Sequence, residues 1–339
     1  MKAICEDSLQ YFPTNSEIED LHFTFIANCV FNSFLSYTAI VLNIATIHAI
    51  PKTASMPKTL KTLLLSLAVS DVGVGLLVLP FYISLLVGWL EHNSSCSNNE
   101  AFHIILYLFS VASFSGVVAV SVDRFLAIHL HLRYQELVTH KRVVALVISI
   151  WVLSVFLSLP LLFVLPDIVY VITIISAVVG LVVIAIVYVR IYLEVRRHKN
   201  QILALALQVQ HMNSTQNVCL VTSRCSGEET ELGIAAENEP TQTREMTNFA
   251  TLVKSAFGTF YVYVLFLVCY LPHIISMAAI KIHGPSISLK RFFLYSMTLV
   301  FLNSVLNPVI YYWKMRHMRH AFLNILRNFI TWLRSCAPA

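Results

Sequence analysis

Two acidic residues stand where acids are costly. Asp71 lies in the middle of a long apolar run, and Asp123, followed directly by Arg124, lies near the end of another. Ionisable groups in such places are rare and usually functional. Asp71 cannot stay ionised in dry surroundings without a cation or hydrogen-bond donors. Asn43, Ser113, Asn303, Ser304 and Asn307 sit inside other apolar runs and can supply partners. Two arrangements satisfy this set: a small cation such as sodium held by the carboxylate with hydroxyls and amides, or a protonated Asp71 in a neutral polar network. Enzyme chemistry is poorly served. There is no HExxH and no GxSxG, and His129, His131, His140, His317 and His320 gather at the ends of runs, where histidines are usually solvated. The seven cysteines are scattered without a CxxC pair, so neither a metal centre nor a resident cofactor is expected.

The elements that must position these residues follow from composition. Of 339 residues, 57% are hydrophobic and only 12% are charged, against about 25% charged in a soluble domain. Lipid is the solvent such a surface needs. Spanning helices need about 20 mainly apolar residues, and seven runs qualify, near 23–49, 59–88, 98–130, 142–164, 167–195, 249–280 and 291–313. The fourth and fifth are divided at Pro166-Asp167, a turn signal inside an otherwise apolar stretch. The expected fold is therefore all-α, a seven-helix transmembrane bundle. Pro272 and Pro308 should kink the sixth and seventh helices.

Basic residues fix the orientation. Lys52, Lys58, Lys61, Arg133, Lys141, Arg142, Arg190, Arg196, Arg197 and Lys199 fall in one set of loops, and the C-terminal segment adds more. The positive-inside rule places that side in the cytoplasm and residues 1–22 outside. The net charge of +5 is explained by these flanks rather than by nucleic acid. Residues 200–247 are polar and read as a disordered cytoplasmic loop. Beyond 313, Met315, Met318, Phe322, Ile325, Phe329 and Leu333 recur at helical spacing between arginines, the pattern of an amphipathic eighth helix on the inner leaflet within 314–339. A transporter would need repeats, paired broken helices or several midplane charges. No repeat is visible, and Asp71 is the only midplane acid.

In order along the chain stand Asn43, Leu67-Ala68-Val69-Ser70-Asp71, Asp123-Arg124-Phe125, Trp151, Tyr188, Cys269-Tyr270-Leu271-Pro272 and Asn307-Pro308-Val309-Ile310-Tyr311, then Phe322. Together they resemble the marker motifs of rhodopsin-like, class A G-protein-coupled receptors, over nearly the whole chain. The resemblance implies a receptor at the plasma membrane that binds an extracellular or membrane-borne ligand and activates a heterotrimeric G protein, with arrestin and receptor kinases as further partners. It implies that Arg124 faces the G protein, restrained at rest by Asp123. Tyr188 and Tyr311, beside Asn307 and Pro308, would swing in on activation. It also implies that Asp71, Ser113, Asn303, Ser304 and Asn307 form an allosteric sodium site, which tips the balance toward the cation.

Departures from the family pattern narrow the ligand. Phe125 replaces tyrosine, Tyr270 replaces the usual tryptophan, and Gly180 stands where the helix-five proline is usual. The second outer loop is nearly absent and lacks the family's bridging cysteine. That resembles the melanocortin, cannabinoid, adenosine and lysophospholipid group, and the missing proline is most like melanocortin receptors. Leu106 stands where amine receptors carry an acid, and Phe301 where opsins carry a lysine. The expected pocket is Tyr107, Ser110, Ile172, Ser176, Tyr270, His273, Met277 and Met297, apolar with a few neutral donors. A neutral or lipid-like ligand suits it; a melanocortin-like peptide or an adenosine-like ligand is the alternative. Three processing sites are expected. Asn93-Ser94-Ser95 is a glycosylation acceptor. Cys5 and Cys96 either form a bridge or remain two free thiols. Cys336 is either palmitoylated or unmodified.

Overall fold

A computed structural model describes the chain from Tyr11 to Leu159, from Val171 to Asn200 and from Glu239 to Lys314, with gaps of one or two residues, plus a few later positions. Seven helices are long and apolar enough to cross a membrane. They are α1 (Ile18–Lys52), α2 (Lys58–Leu90), α3 (Cys96–His129), α4 (His140–Ser158), α5 (Ile174–Arg197), α6 (Glu239–His283) and α7 (Ile287–Lys314). A one-turn helix, Tyr134–Leu137, lies between α3 and α4. The chain is a multi-pass membrane protein.

Two helix starts differ most from the sequence expectation. The first helix begins at Ile18 rather than near 23, because Glu19 and Asp20 are acids that a helix N-terminus tolerates well. The sixth begins at Glu239, inside the stretch read as a disordered loop. Its first two turns are polar, and hydropathy registers only the apolar continuation. The division at Pro166-Asp167, most of loop 200–247 and nearly all of the eighth helix lie outside the described residues, as do Cys5, Ile172 and Cys336.

Phe23, Phe34, Tyr37, Ile148, Phe156 and Val189 point away from the bundle, which places apolar surface where lipid must cover it. Between helices the contacts are polar as well as apolar, as expected where lipid offers no hydrophobic gain for helix association. Ser36 Oγ of α1 donates to Gly75 O of α2 at 2.8 Å. Trp151 Nε1 of α4 donates to Ser66 Oγ of α2 at 3.1 Å, and Tyr263 Oη of α6 donates to Leu181 O of α5 at 3.2 Å.

The Ser36 bond has a local cause. Residues Val74–Val78 of α2 form a π-helical segment, with the Leu79 N–H bonded to Val74 O. In that register Gly75 O would next accept from residue 80, which is proline and has no N–H. Ser36 supplies the missing donor. The approach is close: a Cβ on Gly75 would lie 2.9 Å from Ile40 Cγ1 and 3.2 Å from Ser36 O. Pro80 was the sequence signal for this bulge.

Candidate functional site

Three sites lie along the bundle. At its middle, Asp71 is fully buried. Asn307 Nδ2 donates to Asp71 Oδ2 at 2.9 Å, and Ser304, three residues earlier on α7, is buried as well. Asn43 Nδ2 of α1 donates to Ser304 O at 2.9 Å, fixing α1 against the same turn of α7. Ser113 joins the group indirectly, through a 3.0 Å contact between its hydroxyl and that of Ser70. Asn303 is buried beside them in sequence. Four oxygens here, Asp71 Oδ1, Asn43 Oδ1, Asn303 Oδ1 and Asn307 Oδ1, are buried without a hydrogen-bond partner. All four are acceptors, the donor set a hard cation takes. No group of three or more His, Cys, Asp or Glu side chains able to hold a metal occurs among the described residues.

At the end of α3 nearer Lys52, Arg124 and Asp123 are both buried and paired. Arg124 Nε donates to Asp123 Oδ2 at 3.0 Å. The other carboxylate oxygen accepts from the Tyr134 hydroxyl at 2.6 Å, and Thr59 Oγ1 of α2 lies 3.0 Å from the same hydroxyl. Sequence reasoning missed Tyr134, since nothing in a short polar loop marks one tyrosine as the partner of a buried acid. Burial, with the Asp123 carboxylate beside it, pushes the Tyr134 phenol up to about 12. Tyr188 packs on Tyr263 and Phe260, and its hydroxyl lies 3.3 Å from Ser121 Oγ. Tyr311 is buried and its hydroxyl has no hydrogen-bond partner.

Near the opposite end, a cavity of ≈ 170 Å³ opens between α3, α5, α6 and α7. Of the expected lining, Tyr107, Ser110, Ser176, Tyr270, His273, Met277 and Met297 are there. The structure adds His103, Phe114, Phe266 and Phe293. No acid, lysine or arginine is among the described lining residues. His273 Nδ1 lies 3.3 Å from Ser296 Oγ, which lies 3.1 Å from Ser276 Oγ.

Beneath the cavity Phe266 stacks on Tyr270 at 3.9 Å and meets Phe114 at 5.3 Å. Gly180 makes room for that ring: a Cβ there would lie 2.1 Å from Phe114 Cζ. Above the cavity the N-terminal segment is pinned to α7. Lys290 Nζ donates to Glu17 Oε2 at 2.6 Å, and Thr14 adds its N–H and hydroxyl to the same oxygen. Burial alone would lift the Glu17 carboxyl, but the Lys290 ammonium and the Thr14 donors outweigh it and hold it below its ordinary value. Tyr11 is buried against Phe293, with ring centroids 5.3 Å apart. Asn93 is exposed just beyond α2.

Residues 42–167 and 165–311 match the family model described as 7 transmembrane receptor (rhodopsin family). Curated relatives include an adenosine receptor A2b of Gallus gallus, 34% identical over 130 residues, covering 38% of this chain and 37% of the relative. The A2b receptor of Bos taurus is 32% identical over 120 residues, 35% of each chain. An adenosine receptor A2a of Canis lupus familiaris is 29% identical over 120 residues, 35% of this chain and 28% of that one. The aligned stretch thus spans about a third of the length of these relatives. Within the group named from the short outer loop, they lie on the adenosine side, where the missing helix-five proline had pointed to melanocortin receptors.

Proposed function

Because the chain belongs to the rhodopsin family of seven-transmembrane receptors, we propose that it binds a neutral ligand in the cavity and passes the signal to a heterotrimeric G protein at Arg124. The observation that carries this is the placement of two unlike sites on one helix. His103 in the cavity wall and Arg124 at the opposite end are both on α3, about 30 Å apart at 1.5 Å per residue. A ligand that fits one arrangement of α3 and α6 better than another shifts the equilibrium between them by its differential affinity. The Phe114, Phe266 and Tyr270 rings lie between the cavity and the Arg124 end, with Pro272 two residues beyond Tyr270 in α6, so repacking them is the route that geometry supports.

In this reading the N-terminus and Asn93 lie outside the plasma membrane, with a glycan on Asn93, and Arg124 faces the cytoplasm. Arrestin and receptor kinases act on the same inner face. Asp71, Ser113, Asn303, Ser304 and Asn307 hold a sodium ion in the resting state, which the unpartnered oxygens support. When bound, the ion supplies the positive charge that a buried carboxylate otherwise lacks. The names of the relatives give a second reading, a nucleoside ligand. The test is G-protein nucleotide exchange in membranes from cells expressing the chain, with adenosine and a panel of neutral lipids added separately. Exchange driven by one of them and abolished by Tyr270→Ala supports the reading. No exchange above that of untransfected membranes, with or without ligand, overturns it.

A further inference from the structure

Resting on the receptor reading above, we propose that the ligand is an uncharged amphiphile. A single hydrogen-bonding head group is read by His103, and the apolar body runs along α3 toward Phe114, Phe266 and Tyr270. His103 lines the cavity, yet its Nε2 is buried without a hydrogen-bond partner. Of the other polar groups of the wall, His273 already lies 3.3 Å from Ser296 Oγ, while the Tyr107 hydroxyl, one turn along α3 from His103, is a second group that a head group can meet. Buried polar atoms are nearly always satisfied, so an orphan in a cavity wall marks where a ligand atom belongs.

The shape agrees. From His103 to Phe114 the lining descends α3 for about 16 Å, with the polar side chains, Tyr107 and Ser110, on the His103 side and the apolar Val111 and Phe114 deepest. The polar demand is concentrated at one end and the hydrophobic demand at the other, as in an amphiphile. The charge also agrees. Among the described lining residues a cationic head would meet two imidazoles and no carboxylate, and an anionic head would meet no lysine or arginine. A neutral imidazole presents Nε2 as donor or acceptor according to tautomer, so a hydroxyl or amide head satisfies it either way.

Four probes that share a chain and differ only in the head decide this: decan-1-ol, decanamide, decanoate and decylamine. The full chain is reconstituted in nanodiscs, and its thermal midpoint is titrated against each probe at matched membrane concentration. The two neutral probes should raise the midpoint at concentrations about tenfold below the charged ones, the worth of one hydrogen bond. His103→Phe should erase that preference and His103→Gln should retain it. His103→Met serves as a second apolar variant if the phenylalanine does not fold. The proposal is overturned by no rise with any probe, by an equal or larger rise with decanoate or decylamine, or by a neutral preference that survives both apolar variants. G-protein activation is read on the same samples. A midpoint shift without activation upholds the ligand class and fails the receptor reading instead.

Discussion

Two buried acids of the bundle, Asp71 and Asp123, meet opposite fates. Asp123 has both oxygens engaged by the protein itself, one by Arg124 and one by Tyr134. Asp71 has one oxygen bonded to Asn307, while the other is buried beside further unpartnered acceptors. Both residues are almost fully shielded, so burial does not distinguish them. The difference is whether a positive charge comes with the sequence. Arg124 is the next residue after Asp123; Asp71 has valine and serine as neighbours. A site closed by its own groups can be opened only by rearrangement. A site left with surplus acceptors responds to what the solution contains.

The comparison breaks most sharply at Arg124. Arg124→Ala should leave Asp123 buried without its cation, at a cost of about 3–5 kcal/mol. The expected result is a large drop in the thermal midpoint of the purified protein together with loss of G-protein activation. A midpoint equal to wild type would show that Asp123 is not held as an ion by this pair. Tyr134→Phe removes one hydrogen bond to a charged group, worth about 1.5–3 kcal/mol. It should loosen the same end and raise basal nucleotide exchange several-fold at matched surface expression. The phenol is raised toward about 12, so its contribution is complete below the unfolded value near 10 and fades only as pH rises through the folded one. Basal exchange should therefore respond to Tyr134→Phe equally at pH 6.5 and 8.5.

Asp71→Asn is the converse test. With sodium at several times its dissociation constant the wild type should gain about 1 kcal/mol over the same concentration of choline, and the variant should gain nothing. A sodium-dependent midpoint that persists in Asp71→Asn would remove the ion from this site. The smallest effect belongs to a second self-contained pair, Lys290 and Glu17. Glu17→Gln should cost about 1 kcal/mol at neutral pH, near the upper end for an ion pair whose carboxylate is partly open to solvent. Since the Glu17 carboxyl is held below its ordinary value, its contribution is present above the unfolded value and lost as pH falls through the folded one. The variant should therefore converge with wild type in acid, and it should leave the sodium response untouched. Thermal scans at pH 7 and pH 3.5 would check both.

The number and order of the spans were legible in the sequence because hydropathy is a sum over neighbouring residues and the bilayer sets the length. Asp71, Asp123 and Arg124 were legible because a charge in an apolar run is conspicuous without knowing what it touches. Helix starts were less so: the polar first turns of α6 carry no hydropathic signal, and the π-helical segment of α2 was marked only by Pro80. The structure alone decided partnership. Tyr134 reaches Asp123 across a turn, Asn307 reaches Asp71 from another helix, Ser113 pairs first with Ser70, and His103 lines the cavity with its Nε2 left unpartnered. A residue's tendency to enter lipid depends on its own chemistry and that of its neighbours in the chain, whereas a hydrogen bond depends on a distance of about 3 Å between atoms. Only the packing of the helices brings such atoms together.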